Sequence, residues 1–522
     1  MNRKFIRVVC FFGALTASSA ALAHVGSPDV YLEANAGPYH LLITVNPPAM
    51  VPGVAQVSVR VLSGNVSSLS LVPVYFGAKD QGLSPAPDAM QSVPGAPQYY
   101  TGKVWLMASG SWEVRIKAEG SQGPAQLAVP VPAFARRTLP MQRSLDVLLF
   151  ALMLFLSVGV VAIAGAAARE GVLKPGENPS LSQKRRGRLA AALAALVVVS
   201  ILALGNWWWN LEARDLKQRM LYTAPPLTAS LEATNQLILR IGDNSWHRIR
   251  ENDWSMNLIP DHGHLVHTFL LRVPALDRFY HLHPERVADG SFHTPLPTLP
   301  AGRYYIFADI VRGSGFPETA VTEIRLPDVS GQPFAGDDSG ITAPAFSAQA
   351  SSIDSGSQSA AISLLSDSTH MVFLEGSGNL RAGQLTWLRF RVEDSNGNPV
   401  TDLEPYMGMA GHAEFVRSDL SVFAHIHPVG SVPMASLAIV QQHAAASSSH
   451  GSPAQSADQT SMPGMAMQLA PSVSQLSEHS GTVPAVVSFP YAFPQPGDYR
   501  LFIQTRRRGQ IQTGVFDVHV SG

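Results

Sequence analysis

The sequence predicts a mainly β protein with three β-sandwich domains and two transmembrane helices. Proline (39 residues) and glycine (42 residues) are plentiful and separate short runs of β-branched and aromatic residues, which is typical of sandwiches. A long block of the second half of the chain occurs twice. Two apolar runs are long enough to cross a bilayer as helices. With 522 residues, the chain has room for several domains that each bury a core.

The amino-terminal residues have the pattern of an export signal. Lys4 and Arg7 precede an apolar stretch, and Ala21-Leu22-Ala23 fits the small-x-small cleavage rule, so residues 1–23 are expected to be a signal peptide. The single cysteine, Cys10, lies inside this stretch. The mature chain would then contain neither disulfides nor thiolate ligands, and a site for a soft metal ion would have to use histidine and methionine.

Residues 144–168 and 189–209 are the predicted transmembrane helices. The loop between them, 169–188, is short and basic, which places it in the cytoplasm and both large regions in the periplasm of a bacterial inner membrane. Neither span has an ionisable residue near its middle, so the helices are interpreted as anchors in the lipid bilayer. The formal net charge of -1 gives no reason to expect a nucleic-acid partner.

Residues 24–140 are predicted to form the first exported sandwich, because apolar and polar residues alternate along its strands. The stretch from Gly110 to Val131 resembles the closing hairpin of small FixH- or YtkA-like sandwiches. Cleavage after Ala23 would make His24 the amino terminus, and this end resembles that of CopC-like copper carriers. The resemblance implies a copper ion at His24; an ordinary processed end is the alternative.

The duplicated block supplies the other two domains. Its first copy runs from Leu258 to His267 and continues to His281-Leu282-His283-Pro284; its second runs from Leu403 to His412 and continues to His425-Ile426-His427-Pro428. Residues 225–328 and 358–522 are therefore predicted to be two related sandwiches of immunoglobulin or cupredoxin type. Residues 329–357, rich in Ser, Gly, Asp and Ala, are expected to be a flexible linker.

The two copies differ where chemistry would be expected. His262 and His264 of the first copy correspond to Met407 and Met409 of the second, while three histidines are kept. Packing alone would seldom exchange imidazole for thioether at two positions, whereas copper accepts both ligands. The first copy should then suit Cu(II) and the second Cu(I).

The spacing of the histidines predicts how each copy would bind an ion. In His-x-His on a strand, both side chains point to the same face, and the third histidine would come from the preceding strand of a hairpin. Each repeat is thus expected to gather three imidazoles, with His264 or Met409 as a cap; half-exposed strand ends are the alternative. Copper is favoured, with zinc as the second choice. The candidate ligands are His262, His264, His267, His281, His283, Met407, Met409, His412, His425 and His427.

Residues 436–484 form an insertion rich in Ala, Ser and Gln, which is expected to be disordered. Its run from Met462 to Met467 resembles the methionine motifs of periplasmic copper-handling proteins. The block from Pro399 to Pro428 resembles a recurrent block of exported bacterial proteins of unassigned function. That resemblance implies a shared fold and site but brings no activity with it.

These observations predict a membrane-anchored periplasmic protein for copper sequestration, delivery or resistance. Its partners would be the metal ion, the bilayer and another copper-handling protein. A cupin-like metal enzyme is a rival, but its motif requires a glutamate some four residues after His-x-His; Glu285 follows His283 by two residues, and Val429 follows His427. No nucleophile elbow or phosphate loop occurs either, so no enzyme is predicted. An assembly or sensor module without metal is the third alternative.

Overall fold

The computed structural model describes residues 24–25, 29–75, 85–174, 176–232, 235–244, 246, 257–346, 361–376, 380–449 and 483–522. Within these residues the protein forms three two-sheet β-sandwiches and a pair of long helices, which confirms the predicted fold class. The predicted signal peptide and the methionine-rich part of the insertion lie outside the described residues.

A two-residue strand, β1 (His24–Val25), precedes the first sandwich and joins a sheet of the third. The first sandwich has one sheet in the order β2-β3-β4-β8-β7 and another in the order β10-β9-β5-β6. Alternate side chains of these strands fill the core between the sheets. The strands are β2 (Val30–Ala36), β3 (Tyr39–Asn46), β4 (Gly53–Ser63), β5 (Val66–Tyr75), β6 (Asp88–Ala89), β7 (Gln91–Val93), β8 (Ala96–Leu106), β9 (Gly110–Gly120) and β10 (Ala125–Ala133).

Two helices follow, α1 (Arg143–Glu170) and α2 (Leu181–Met220). Both are long and apolar enough to cross a membrane, and no residue of their most apolar windows is buried inside protein. Each extends beyond the predicted span, because the flanking polar residues contain no proline and Ser180 begins α2 with a capping box to Gln183. The helices meet at small residues, where a Cβ on Gly187 would lie 2.9 Å from the carbonyl oxygen of Gly165.

The chain enters and leaves this helix pair at one point. Tyr222 N donates to Ala135 O at 2.8 Å, and Ala135 and Leu221 form a parallel bridge. The first sandwich, which precedes α1, therefore lies beside the second, which follows α2.

The second sandwich pairs a sheet in the order β11-β12-β17-β16 with a sheet in the order β13-β18-β14-β15-β20, in which β19 also pairs with β18. Its strands are β11 (Leu227–Leu231), β12 (Gln236–Ile241), β13 (Leu258–Ile259), β14 (His267–Val273), β15 (Arg278–Leu282), β16 (Glu285–Arg286), β17 (Phe292–Pro295), β18 (Gly302–Arg312), β19 (Pro317–Leu326) and β20 (Ser339–Thr342).

Strand β20 corrects the prediction of a flexible linker over 329–357. Ser339–Thr342 adds to the edge of the sheet beside β15, and Leu299 and Val329 exchange backbone hydrogen bonds. The polar residues of this segment bond to the second sandwich, which composition alone does not reveal. Residues 347–357 lie outside the described residues.

The six-stranded sheet of the third sandwich repeats the connectivity of the six-stranded sheet of the second. A sheet in the order β21-β22-β23-β27 faces a sheet in the order β1-β26-β25-β28-β24, in which β29 also pairs with β28. Strands β24, β25, β26, β28 and β29 take the places of β13, β14, β15, β18 and β19. The elements are β21 (Ala361–Leu364), β22 (His370–Phe373), β23 (Thr386–Glu393), β24 (Leu403–Glu404), β25 (His412–Arg417), β26 (Val422–Ile426), α3 (Met434–Ser449), β27 (Val486–Tyr491), β28 (Gly497–Arg507) and β29 (Gln510–Val520).

Helix α3 corrects the prediction that the insertion 436–484 is disordered from its start. Leu437, Val440 and Ala444 lie three and four residues apart, form one apolar stripe and are buried against the core of the first sandwich. His443 Nδ1 lies 2.8 Å from Glu113 Oε2, beside Arg115. The stripe is too short to stand out from the Ala- and Ser-rich composition around it.

The second and third sandwiches pack against each other through the sheets that carry the His-x-His motifs. Phe307 stacks on Phe423 with ring centroids 4.1 Å apart, and Phe279 stacks on Phe502 at 4.3 Å. These rings belong to a hydrophobic core that contains residues of both repeats. The two repeats thus form one body, with the histidines facing its interior.

Candidate metal centre

Eight histidines meet between the second and third sandwiches. Ring centroids of neighbouring members lie 4.0 to 6.2 Å apart. All eight were predicted as ligands from the sequence. They are His262, His264, His267, His281, His283, His412, His425 and His427, and we call them the histidine cluster.

Strand pairing explains how each repeat contributes. His267 begins β14 and His281 lies in the adjacent strand β15. His283 is two residues further on, so it points to the same side of the sheet as His281. Strands β25 and β26 hold His412 and His425 in the same way. In each repeat the hairpin therefore brings its three predicted histidines close to one another.

The turns before these hairpins carry the remaining members. Residues 261–264 and 406–409 form equivalent turns, each closed by two backbone hydrogen bonds between its end residues. The central residues have positive φ in both: +50° at His262 and Met407, followed by glycine. Equivalent left-handed residues at equivalent positions support the duplication independently of the sequence.

The first candidate group consists of His267, His281 and His283, whose candidate ligand atoms all lie within 4.8 Å of one another. His267 Nε2 donates to Asp261 O at 3.0 Å, and His281 Nδ1 donates to Gln504 Oε1 at 2.9 Å. Their other nitrogens, 3.2 Å apart, therefore both carry lone pairs in the neutral rings. His283 Nδ1 lies 2.9 Å from Asp338 Oδ1, while its buried Nε2 has no hydrogen-bond partner among the described residues.

The second candidate group consists of His262, His412 and His427 and meets the same 4.8 Å limit. His262 Nδ1 donates to Met407 O at 2.8 Å, and His427 Nδ1 donates to Val432 O at 3.1 Å. Their Nε2 atoms face each other at 3.3 Å, again with two lone pairs. Both ring nitrogens of His412 are buried without a hydrogen-bond partner in the described part of the chain.

This arrangement fits a cation between the rings. Two lone pairs directed at each other repel, and buried polar atoms are nearly always hydrogen-bonded, so an added positive ion would satisfy both requirements. Two nitrogens bound to one tetrahedral ion at about 2.0 Å lie about 3.3 Å apart, which is the separation found in both groups. The opposite nitrogens donate to protein oxygens, as the second ring nitrogen of a metal-bound histidine does.

Burial also sets the charge state of the rings. Desolvation lowers the pKa of His267, His281, His283, His412 and His427 well below the ordinary value, and the neighbouring histidines lower it further. The pKa of His262 is lowered by burial as well. The rings are therefore neutral near pH 7, which is the form that binds metal ions.

The second group corrects one prediction. Sequence comparison assigned His412, His425 and His427 to one ion within the third sandwich, but the structure places His262 of the second sandwich in that group. The turn at His262 reaches across the interface, and an alignment of two repeats contains no information about how they dock. The ring of His425 lies between the two groups instead, and its Nδ1 atom is 3.5 Å from Asp309 Oδ2.

His264, Met407 and Met409 lie at the edge of the cluster. His264 stacks on His283 with ring centroids 4.0 Å apart, and its Nε2 is 3.2 Å from Asp337 Oδ2. Met407 contacts the second group through its backbone carbonyl, and Met409 closes the same turn. Both candidate groups consist of histidine alone, and sulfur ligation by the two methionines stays a prediction.

Several residues around the rings were not foreseen from the sequence. Asp309, Asp338 and Gln504 are described above as partners of the rings. Burial raises the pKa of Asp338 to about 6. The carboxyl group of Glu414 lies 3.9 Å from His281 Nδ1, and no hydrogen-bond partner for it is found in the described residues. Its pKa is raised well above the ordinary value by burial and by Asp309. Alternation from His412 could have identified Glu414, because residues i and i+2 of a strand share a face.

A cavity of about 130 Å³ borders the cluster. His264, His267, His425 and His427 line it, together with Asp261 and Asp309. Phe134 and Tyr222, which flank the point where the chain enters and leaves the helix pair, line it too. It lies where all three sandwiches meet.

The predicted copper site at His24 has less support. Strand β1 pairs in parallel with β26, with His24 opposite Val422. His40, another histidine of the first sandwich, lies with Nε2 3.3 Å from Glu33 Oε1 and is partly exposed. The amino-terminal site stays a prediction.

Fold and site together define a β-rich protein with two helices able to anchor it in a membrane and a buried histidine cluster able to hold metal ions. Residues 367–522 match the model of a family described as a domain of unknown function (DUF8832). No curated protein matches the sequence.

Solved structures show partial likenesses. An engineered protein has 18% identity and a TM-score of 0.14; the match covers 19% of this chain and 21% of that protein's length. Fibronectin(III)-like modules of CbhA from Clostridium thermocellum have 10% identity and a TM-score of 0.20, covering 55% of this chain and 94% of theirs. A tandem repeat from a large adhesion protein has 9% identity and a TM-score of 0.15, covering 92% and 74%.

Proposed function

We propose that this protein is a membrane-anchored metal-binding protein that holds one ion in each group of the histidine cluster, for sequestration, delivery or resistance. The facing pairs of imidazole lone pairs, His267 with His281 and His262 with His427, carry this proposal. Two independent pairs have the separation expected for ligands of one ion. Packing alone gives no reason for either pair.

Copper is the proposed ion, with zinc as the second choice. Imidazole suits both metals, and the affinity of nitrogen sites for divalent ions is higher for Cu(II) than for Zn(II). Both groups contain three histidines, which favours the same ion in each. A preference of the second group for Cu(I) would require Met407 or Met409 to join as a ligand.

The size of the cavity favours binding over catalysis. Pockets for organic ligands measure about 300 to 1,000 Å³. The cavity beside the cluster, at about 130 Å³, is smaller than this range. Storage or transfer of the ion is therefore the better proposal than chemistry on a substrate.

The helix pair supports the proposed location. Because Tyr222 N donates to Ala135 O, the chain enters and leaves the helix pair at one point, and both large regions of the chain lie on the same side of the helices. With the basic loop in the cytoplasm, this side is the periplasm of a bacterial inner membrane. Another copper-handling protein is the proposed exchange partner.

Metal titration of the full chain in detergent tests the proposal. We expect two equivalents of Cu(II) or Zn(II) to remain bound after desalting. Replacing His281 and His283 together by glutamine should remove one equivalent, and replacing His412 and His427 together should remove the other. His519→Gln is the matched control, because His519 is exposed and bonded to Asp498 far from the cluster. No retained metal, or equal losses from the control, would refute the proposal.

A further inference from the structure

Two members of the histidine cluster belong to neither group: His264 stacks on His283 at the edge of the cluster, whereas His425 is near both groups. The ring centroid of His425 lies 5.6 Å from that of His267 and 5.8 Å from that of His281, in the first group. It lies 5.5 Å from His412 and 4.8 Å from His427, in the second. The ring of His425 therefore lies between the two groups.

The ligand nitrogen of His425 is available. His425 Nε2 is buried, and the described residues provide no hydrogen-bond partner for it. On the other side of the ring, Nδ1 is 3.5 Å from Asp309 Oδ2. A carboxylate behind a histidine ring orients the ring and makes its second nitrogen a better metal ligand.

Pseudo-symmetry explains why His425 has this position. His425 and His281 are equivalent in the two hairpins, and their partners Asp309 and Gln504 lie opposite the equivalent residues His267 and His412 in the strand register. Each partner comes from the other repeat. His281 completes its own group, whereas the corresponding place in the second group is taken by His262. His425 is thus a ligand displaced from its own triad.

The surroundings also contain the negative charge that two close cations require. Asp309 is near His425, and Asp261 receives a backbone hydrogen bond from Ala435 and lines the same cavity. Carboxylates close to two cations reduce the repulsion between them.

We propose that the two groups form one dinuclear centre, in which His425 lies between the two ions and supplies its Nε2 as an additional ligand. This inference rests on the proposed function, since it needs both triads to bind an ion. It adds that the ions are close enough to interact magnetically. The centre would hold two divalent ions of first-row transition metals.

Electron paramagnetic resonance of the full chain loaded with Cu(II) alone tests it. At one equivalent we expect the spectrum of an isolated Cu(II) ion with the full spin count. At two equivalents we expect a half-field transition and dipolar broadening, or a reduced spin count. Two equivalents that give the spectrum and spin count of isolated ions would overturn the dinuclear centre. Retention of fewer than two equivalents would instead show that the proposed function has failed.

A single substitution tests the role of His425. In His425→Gln both triads remain, so two equivalents should still bind. The second equivalent should bind at least about tenfold more weakly, and the two-equivalent spectrum should change. The control His519→Gln should leave affinity and spectrum unchanged. An unaltered spectrum and affinity in His425→Gln would overturn the assignment of His425 as a ligand.

Discussion

Replacing His262 tests most directly whether a histidine of the second sandwich completes the metal site of the third. His262 belongs to the second sandwich in sequence, but its Nε2 faces His427 of the third at 3.3 Å. We choose His262→Asn because the backbone at this position has φ of +50°, and asparagine tolerates the left-handed conformation that alanine does not. The turn should therefore remain intact while the imidazole is lost.

The expected effect follows from the geometry. The variant removes one imidazole from the second group, of which His412 and His427 remain, and leaves the first group complete. Changes in residues that merely orient metal ligands cost about 10- to 100-fold in affinity, so loss of a ligand should cost at least about 100-fold. This corresponds to about 2.8 kcal/mol for one ion. The other ion should bind with unchanged affinity.

Isothermal titration of Cu(II) into the full chain measures both affinities. Adding His412→Gln to His262→Asn then identifies which of the two equivalents binds in the second group. We expect the double substitution to weaken the same equivalent that His262→Asn weakens. His519→Asn is the control, because His519 is exposed and bonded to Asp498 far from the cluster. If His262→Asn weakens the equivalent that is lost when His281 and His283 are both replaced by glutamine, the cross-repeat assignment is wrong.

Three further predictions concern stability. Leu437→Ala removes a buried side chain where α3 meets the first sandwich, so it should lower the free energy of unfolding by about 2–5 kcal/mol in denaturant titrations. Leu364→Ala, at an exposed residue, should have little effect. Equal effects would contradict the docking of α3. Arg500→Lys should lower the free energy of unfolding by about 3 kcal/mol in the same assay. Arg500 donates two hydrogen bonds to the Asp517 carboxylate and two more to Leu276 O and Pro344 O across the repeat interface. An unchanged denaturant midpoint would contradict this prediction. Lowering the pH below about 6.5 should destabilise the metal-free protein by up to about 1.4 kcal/mol per pH unit for each buried histidine of lowered pKa. The reason is that these histidines bind protons in the unfolded chain but stay neutral in the folded protein. Equal denaturant midpoints at pH 7.5 and 5.5 would refute this prediction.

The sequence was most informative where structure is local. The duplication predicts equivalent strands because both copies follow the same hydrophobic pattern, and His-x-His predicts two rings on one face because strand side chains alternate. The hairpin trios, such as His267, His281 and His283, therefore follow from spacing alone. The fold class and the two apolar helices were predicted for similar reasons.

Features that depend on docking were not predictable in this way. His262 joins the opposite repeat because the two sheets face each other, which neither copy encodes by itself. Strand β20 and helix α3 lie in segments with polar or low-complexity composition, and a few contacts hold each of them. Asp338 bonds to His283, and Leu437 is buried against the first sandwich. Single contacts of this kind leave no periodic signal.

The backbone hydrogen bond from Tyr222 N to Ala135 O holds the cavity near the end of α2. The length of α2 beyond its apolar span therefore sets the distance from the cavity to the lipid. Helix α2 continues about 11 residues beyond the apolar span that the sequence predicts, and at about 1.5 Å per residue this stalk is about 17 Å long. Tyr222, two residues beyond its end, lines the cavity. An ion exchanged there would pass at a fixed height above the bilayer, so a donor or acceptor tethered in the same membrane needs only a short ectodomain to reach it.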